Sequence, residues 1–304
     1  MALDLKTLVA KVRVTDGATG TQLQKHGLTP GTPTELWNAD NPSAVEKVAA
    51  DYIRAGSEIV LTNTLCANRF MLGQQGAGSR VAELAEAGSR IARRAADAAK
   101  SAGKEVLVFG SIGPSGKIVL TEEVPVEELS AAFAESAEAI AWGGADAIVL
   151  ETFNELDELT IALEAVKKAA DLPVVACMTF SSGPEKTHTM MGNSPADLAA
   201  AARKHGAEAV GANCGVGPDN YVKVARLLRE ASDLPIWIKP NAGVPTLGRD
   251  GLPHFPMTPR EFASYVPALI DAGANFLGGC CGTGPAHIEA LRKAVDKAAR
   301  WQQQ

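Results

Sequence analysis

Short, almost wholly apolar runs alternate along the chain with longer stretches in which apolar residues recur every three or four positions. The first kind predicts strands and the second amphipathic helices. Eight strands are expected, at 12–15, 58–62, 106–109, 147–150, 174–178, 209–212, 236–239 and 275–277. Most of these runs are continuous rather than alternating, as parallel strands covered by helices require. The intervening segments carry helix signals. Asn41-Pro42 supplies a cap and a first-turn proline ahead of Val45, Val48, Ala49, Tyr52 and Ile53, and Gly56 closes that helix. Ser194-Pro195 opens a helix that Gly206 ends. Thr258-Pro259-Arg260-Glu261 reads as a capping box before Phe262, Val266, Leu269 and Ile270, with Gly273 as the stop.

A repeat runs through the pattern. Gly-Ser or Gly-Ala precedes the second, fourth, sixth and eighth strands, at Gly56-Ser57, Gly144-Ala145, Gly206-Ala207 and Gly273-Ala274. Asp-Leu-Pro precedes the fifth and seventh, at Asp171-Leu172-Pro173 and Asp233-Leu234-Pro235. One βα unit copied eight times favours an α/β fold of the (β/α)8 TIM barrel type over an open doubly wound sheet. No linker-like stretch divides the chain, so residues 1–304 are expected to form one barrel domain. Asp16-Gly17-Ala18-Thr19-Gly20-Thr21, after the first strand, lacks the lysine and the glycine spacing of a phosphate or dinucleotide loop.

Composition narrows the function classes. Hydrophobic residues make up 46% and charged residues 21%, ordinary values for a soluble globular protein. A net charge of −6 argues against a nucleic-acid or acidic-membrane partner. The absence of a transmembrane run or secretion leader makes the cytoplasm the expected address. Five cysteines in 304 residues, two of them adjacent, do not form a disulfide framework. In a reducing compartment they are free to bind metal.

In a barrel of this kind the chemistry sits at the C-terminal ends of the strands, and here all eight ends carry polar, glycine-rich or chelating residues. Gly278-Gly279-Cys280-Cys281-Gly282-Thr283-Gly284-Pro285 follows the last strand. Adjacent strand residues face opposite ways, but the flanking glycines let both sulfurs turn toward one point. Cys214 ends the sixth strand. Three thiolates from two strand ends leave an open fourth position, the arrangement expected of one catalytic Zn2+ per chain. A vicinal disulfide or two packed thiols are the competing readings of the pair. Cys177 lies inside an apolar strand and is expected in the core, and Cys66 is left out of the metal set. The five histidines have no partners at ligand spacing, and His287 is expected on a helix face. Glu151 ends an apolar strand, where a carboxylate is costly unless paired. It serves either a salt bridge or the ammonium group of a substrate. Asp16 presents the same choice beside ordinary Asp-Gly turn chemistry. Residues 181–192 read as a surface loop at the rim.

A metal held by three thiolates is electron-rich, a poor source of hydroxide and a good partner for a fourth sulfur. A thiol bound there loses its proton and stays nucleophilic near neutral pH. Alkylation of a substrate thiol is therefore preferred over hydrolysis. An amino-acid thiol would place its ammonium on Glu151 and Asp16 and its carboxylate on backbone donors from Gly17 to Thr21.

At these residues the chain resembles the homocysteine S-methyltransferase family, which includes betaine-dependent, S-methylmethionine-dependent and cobalamin-dependent enzymes. The resemblance spans nearly the whole chain through 16–21, Thr62-Asn63-Thr64, 110–114, 150–153, Asn213-Cys214, 240–243 and 278–283. It looks closest to the homocysteine-binding barrel of cobalamin-dependent methionine synthase. The resemblance implies that Cys214, Cys280 and Cys281 are zinc ligands at the catalytic centre and that Asp16 and Glu151 hold the homocysteine ammonium. Gly17, Thr19, Asn213 and Asn241 complete the expected substrate-binding set. The methyl donor would be a corrinoid carried by a separate protein or a sulfonium such as S-methylmethionine, and the product methionine. The alternatives are a corrinoid-dependent subunit that demethylates a small compound, and a thiol- and zinc-binding subunit active only within a complex. Two residues depart from the family pattern: Ala18, where a second glycine is usual, and Cys66, where phenylalanine or a small residue is common. The folate and cobalamin modules and the dimerisation arm of the larger members are absent from the sequence, so a lone barrel is expected. A quaternary ammonium donor would want an aromatic cage, for which Trp37, Phe70, Phe153 and Phe180 are the available rim residues.

Overall fold

The computed structural model describes residues 3–248 and 252–301. Eight parallel strands occur where the apolar runs place them: β1 (Arg13–Val14), β2 (Ile59–Leu61), β3 (Leu107–Ile112), β4 (Ala147–Phe153), β5 (Val174–Met178), β6 (Ala209–Asn213), β7 (Ile236–Lys239) and β8 (Phe276–Leu277). They pair in the order β1-β8-β7-β6-β5-β4-β3-β2. The ends of that row meet. Glu58 donates its N–H to the Val14 carbonyl at 2.7 Å, and Leu61 donates to the Asp16 carboxylate at 2.7 Å. The sheet thus curls into a nearly closed barrel with helices around it, a (β/α)8 TIM barrel.

Strand alternation sorts the side chains. Ile59, Phe109, Ala147, Val149, Val175, Cys177, Ala209, Trp237 and Phe276 form one buried cluster with Leu5 of the short N-terminal helix Leu5–Leu8. Their neighbours Val60, Val108, Ile148, Leu150, Ala176, Val210 and Ile238 belong instead to the large core shared with the helices. Further along β3, β4, β6 and β7, the inner series ends in Ser111, Glu151, Asn213 and Lys239, all buried. An apolar barrel is therefore capped by a polar layer at the end where the loops carry the cysteines.

Within the inner cluster Trp237 stacks on Phe109, with ring centres 5.7 Å apart. Gly211 makes room for it, because a Cβ there would collide with the Trp237 carbonyl and lie 2.7 Å from the Cys177 sulfur. Gly211→Ala is expected to destabilise the fold by about 1–3 kcal/mol through overpacking. Denaturant unfolding that leaves the midpoint unmoved would contradict this packing.

Helix ends follow the sequence signals with two differences. The Ser194 and Thr258 capping boxes form, and Gly56 and Gly206 close their helices in the left-handed conformation. Asn41 starts the helix Pro42–Ala55 without a side-chain cap bond, its oxygen accepting from Ser43 Oγ instead. The segment after Thr258 is two helices, Pro259–Ala263 and Val266–Asp271, because Pro267 cannot donate to a continuous ladder. Strands β3 and β4 also run past their expected ends, to Ile112 and Phe153. The β4 register shifts between Leu150 and Phe153, and Thr152 takes a φ of +69°. That irregularity lies beside Glu151.

Candidate active site

The turn after β6 places the first thiol. Cys214 has a φ of +65° and is followed by Gly215 at +69°. Its N–H donates to the Lys239 carbonyl at 3.1 Å, and its own carbonyl accepts from the Tyr221 hydroxyl at 2.7 Å. The turn after β8 places the other two. Gly279 donates to the Asp16 carbonyl at 3.0 Å, Cys280 donates to the Pro240 carbonyl at 2.8 Å, and Thr283 Oγ1 donates to the Cys280 carbonyl at 2.7 Å. Gly282 closes the turn at φ +81°, where Phe255 leaves no space for a side chain. The three sulfurs consequently lie within 4.8 Å of one another, Cys214 and Cys281 at 3.9 Å.

All five cysteines are free thiols, so the vicinal disulfide is not formed. Hydrogen bonds from Cys280 and Cys281 hold the Cys214 thiol down to about 3, far below its ordinary range. As donors to that thiolate, Cys280 is pushed up and Cys281 rises to about 12. Asn241 also hydrogen-bonds Cys214, and its side-chain oxygen is buried with no partner. Three sulfurs that converge within 4.8 Å of one another, near the unpartnered oxygen of Asn241, are a donor set that suits a thiophilic cation.

Next to the thiols lies a cavity of about 540 Å³, lined by Gly17–Thr21, Leu61–Cys66, Ser111, Glu151, Thr152, Lys239, Phe255 and Gly279–Cys281. Glu151 accepts hydrogen bonds from Ser111 Oγ at 2.6 Å and Asn213 Nδ2 at 3.2 Å. Burial pushes its carboxyl above the usual range, against the pull of the Lys239 charge. Asn213 also accepts from the Thr152 N–H and donates to Thr152 Oγ1, both at 2.8 Å, so it fixes the irregular end of β4.

A family model for homocysteine S-methyltransferase matches residues 13–295, nearly the whole barrel. The chain belongs to the homocysteine S-methyltransferase family. Methionine synthases of Mycobacterium tuberculosis and Mycobacterium leprae are each 34% identical to it, over 99% and 96% of the chain. The chain spans about a quarter of the length of these relatives, 26% and 25%. Among solved structures, the homocysteine methyltransferase MmuM of Escherichia coli in its oxidised form is 26% identical with a TM-score of 0.79, covering 95% of this chain and 98% of that one. The metallated form of MmuM gives a TM-score of 0.78 at 26% identity, over 95% and 99%.

Within this methyltransferase barrel the three cysteines expected to act together do meet, and Cys177 is core as expected. Cys66 stands on the cavity wall outside the cysteine group, its thiol pushed up to about 12 by burial. Gly17 and Thr19 line the cavity, and Asn213 and Asn241 are buried beside the thiols. Ala18 is accommodated, but its N–H already donates to Thr283 Oγ1 at 3.2 Å and is not open to a substrate carboxylate. Asp16 is also engaged, with Lys239 on one oxygen and the Leu61 N–H on the other. Of the four aromatic residues available for a cage, none lines the cavity. Phe153 and Phe180 are fully buried, Trp37 and Phe70 pack against the core, and Phe255 is the aromatic residue on the cavity wall. His287 lies on the helix Pro285–Trp301 and hydrogen-bonds the Met257 carbonyl. Sequence reasoning overlooked Lys239, Ser111 and Glu35. A lysine ending the apolar run Ile236-Trp237-Ile238 was a signal for the first, whereas nothing local marked Glu35, a buried carboxyl on the cavity wall that accepts from the Cys66 N–H. No described helix is long and apolar enough to cross a membrane.

Proposed function

We propose that the protein is a zinc-dependent homocysteine S-methyltransferase that forms methionine by attack of the homocysteine thiolate on a methyl donor. The observation that carries this reading is the convergence of Cys214, Cys280 and Cys281 beside a cavity of about 540 Å³. These three residues would hold the zinc. Zinc, when bound, supplies a Lewis acid that lowers the pKa of a substrate thiol and keeps its sulfur nucleophilic. The protein's own residues bind and align. Glu151 takes the substrate ammonium, with Ser111 and Asn213 holding its two oxygens in place. The burial of the surrounding polar layer keeps water away from the reacting sulfur, and alignment of two bound reactants provides much of the rate.

For the donor, the methionine synthase relatives, of which this chain matches about a quarter, support a methylated corrinoid on a separate protein. Among the described residues Phe255 is the one aromatic on the cavity wall, which disfavours a quaternary ammonium donor, and a sulfonium is the other candidate. Five reduced thiols are in keeping with a cytoplasmic address. The test is mass-spectrometric detection of methionine from zinc-loaded protein and homocysteine, with S-methylmethionine, S-adenosylmethionine, betaine, methylcobalamin and a methylated corrinoid protein offered separately. Turnover with one donor assigns it. Turnover with none would sink the reading.

A further inference from the structure

The cavity wall carries one cation that the family resemblance does not account for. Lys239 is 2% exposed, ends β7 in the polar layer and lines the cavity together with Glu151. An ammonium has three N–H donors. Among the described residues, Asp16 is the only hydrogen-bond partner of the Lys239 Nζ. Asp16 in turn has one oxygen on Lys239 and the other on the Leu61 N–H. A substrate ammonium placed on Asp16 would therefore sit against the Lys239 ammonium, two like charges in a buried site. Glu151 is placed differently. It feels the Lys239 charge, but its hydrogen bonds come from neutral donors, Ser111 and Asn213, and no cation lies within ion-pair distance of it among the described residues.

We propose that Lys239 is a specificity-determining residue that takes the carboxylate of the substrate amino acid while Glu151 takes its ammonium. The inference rests on the amino-acid thiol acceptor proposed above. An α-amino acid presents both charges from one carbon, and Glu151 at the end of β4 and Lys239 at the end of β7 present the complementary pair on the wall of one cavity. Asp16 then has a supporting part: it holds the lysine charged and in position. The Ala18 N–H, spoken for by Thr283, gives the same indication, since backbone donors of that loop are not all available to a carboxylate.

The test compares two thiols on the zinc-loaded protein by titration calorimetry. Homocysteine carries the carboxylate, and 3-aminopropane-1-thiol has the same thiol and ammonium with hydrogen in its place. In the wild type homocysteine is expected to bind more tightly. Lys239→Met should weaken homocysteine by roughly 10–100-fold, the worth of a hydrogen bond to a charged group, and leave aminopropanethiol unchanged. Lys239→Arg, which keeps the cation, should retain most of the discrimination. If Lys239→Met does not fold, the double variant with Asp16→Asn leaves no unpaired buried carboxylate, and the same ratio is read from it. Equal losses for both thiols, or no loss for either, would overturn the role of Lys239 while leaving the acceptor reading intact. A wild type that binds neither thiol with zinc present would overturn both.

Discussion

Cys214→Ser is expected to lose the metal and the activity together while the barrel stays folded. Serine keeps the size of the side chain and the same backbone cost at φ +65°, and the bonds that hold the turn run through main-chain atoms of Cys214 to Lys239 and Tyr221. What disappears is one of three soft donors lying within 4.8 Å of one another. Loss of an outer partner of a metal ligand alone costs roughly 10–100-fold in affinity, so loss of a ligand should cost more. Zinc per chain after dialysis, measured by atomic spectrometry, should fall well below one, with circular dichroism unchanged. Cys66→Ser is the control, since that sulfur lies outside the group, and it should keep its zinc. A Cys214→Ser protein that retains zinc and full activity would refute the assignment of the site.

Glu151→Gln should separate substrate binding from metal binding. The carboxylate is buried, and its exchange for an amide removes the negative charge proposed to meet the incoming ammonium while preserving the side chain's shape. Homocysteine affinity is expected to fall by about 1.5–3 kcal/mol, roughly 10–150-fold, with zinc content unaffected. The pH dependence carries the same information. Burial raises the Glu151 carboxyl, so it is charged above that raised value and neutral below it. Wild-type affinity should therefore decline as pH falls through a range above that of an ordinary carboxylate, and the Gln variant should not share that step. Calorimetric titration across this range checks both points. Equal affinities at neutral pH would leave Glu151 a structural residue held by Ser111 and Asn213.

The hydrophobic pattern by itself determined the eight strands, their parallel arrangement and the ring, because a strand covered on both faces has to be apolar throughout and a repeated βα unit has few ways to bury it. It also determined which cysteines could serve chemistry. Glycines around Cys280 and Cys281 and the strand-end position of Cys214 are local properties, and local properties are legible in a sequence. The break at Pro267 was equally local and went unread. What only the tertiary structure decided was which charges meet. Asp16, Glu151 and Lys239 come from the β1, β4 and β7 regions, and the ion pair between Asp16 and Lys239 joins residues 223 positions apart in the sequence. The pairing depends on barrel closure, which brings those strand ends to one layer and withdraws them from water. Burial then decides the chemistry: it sets one carboxylate against a lysine and leaves another to neutral donors. The aromatic residues follow the same rule, since Phe153 and Phe180 turn into the core while Phe255, from a loop after β7, reaches the cavity. Direction at a strand end is set by the register of neighbouring strands, and no single segment encodes it.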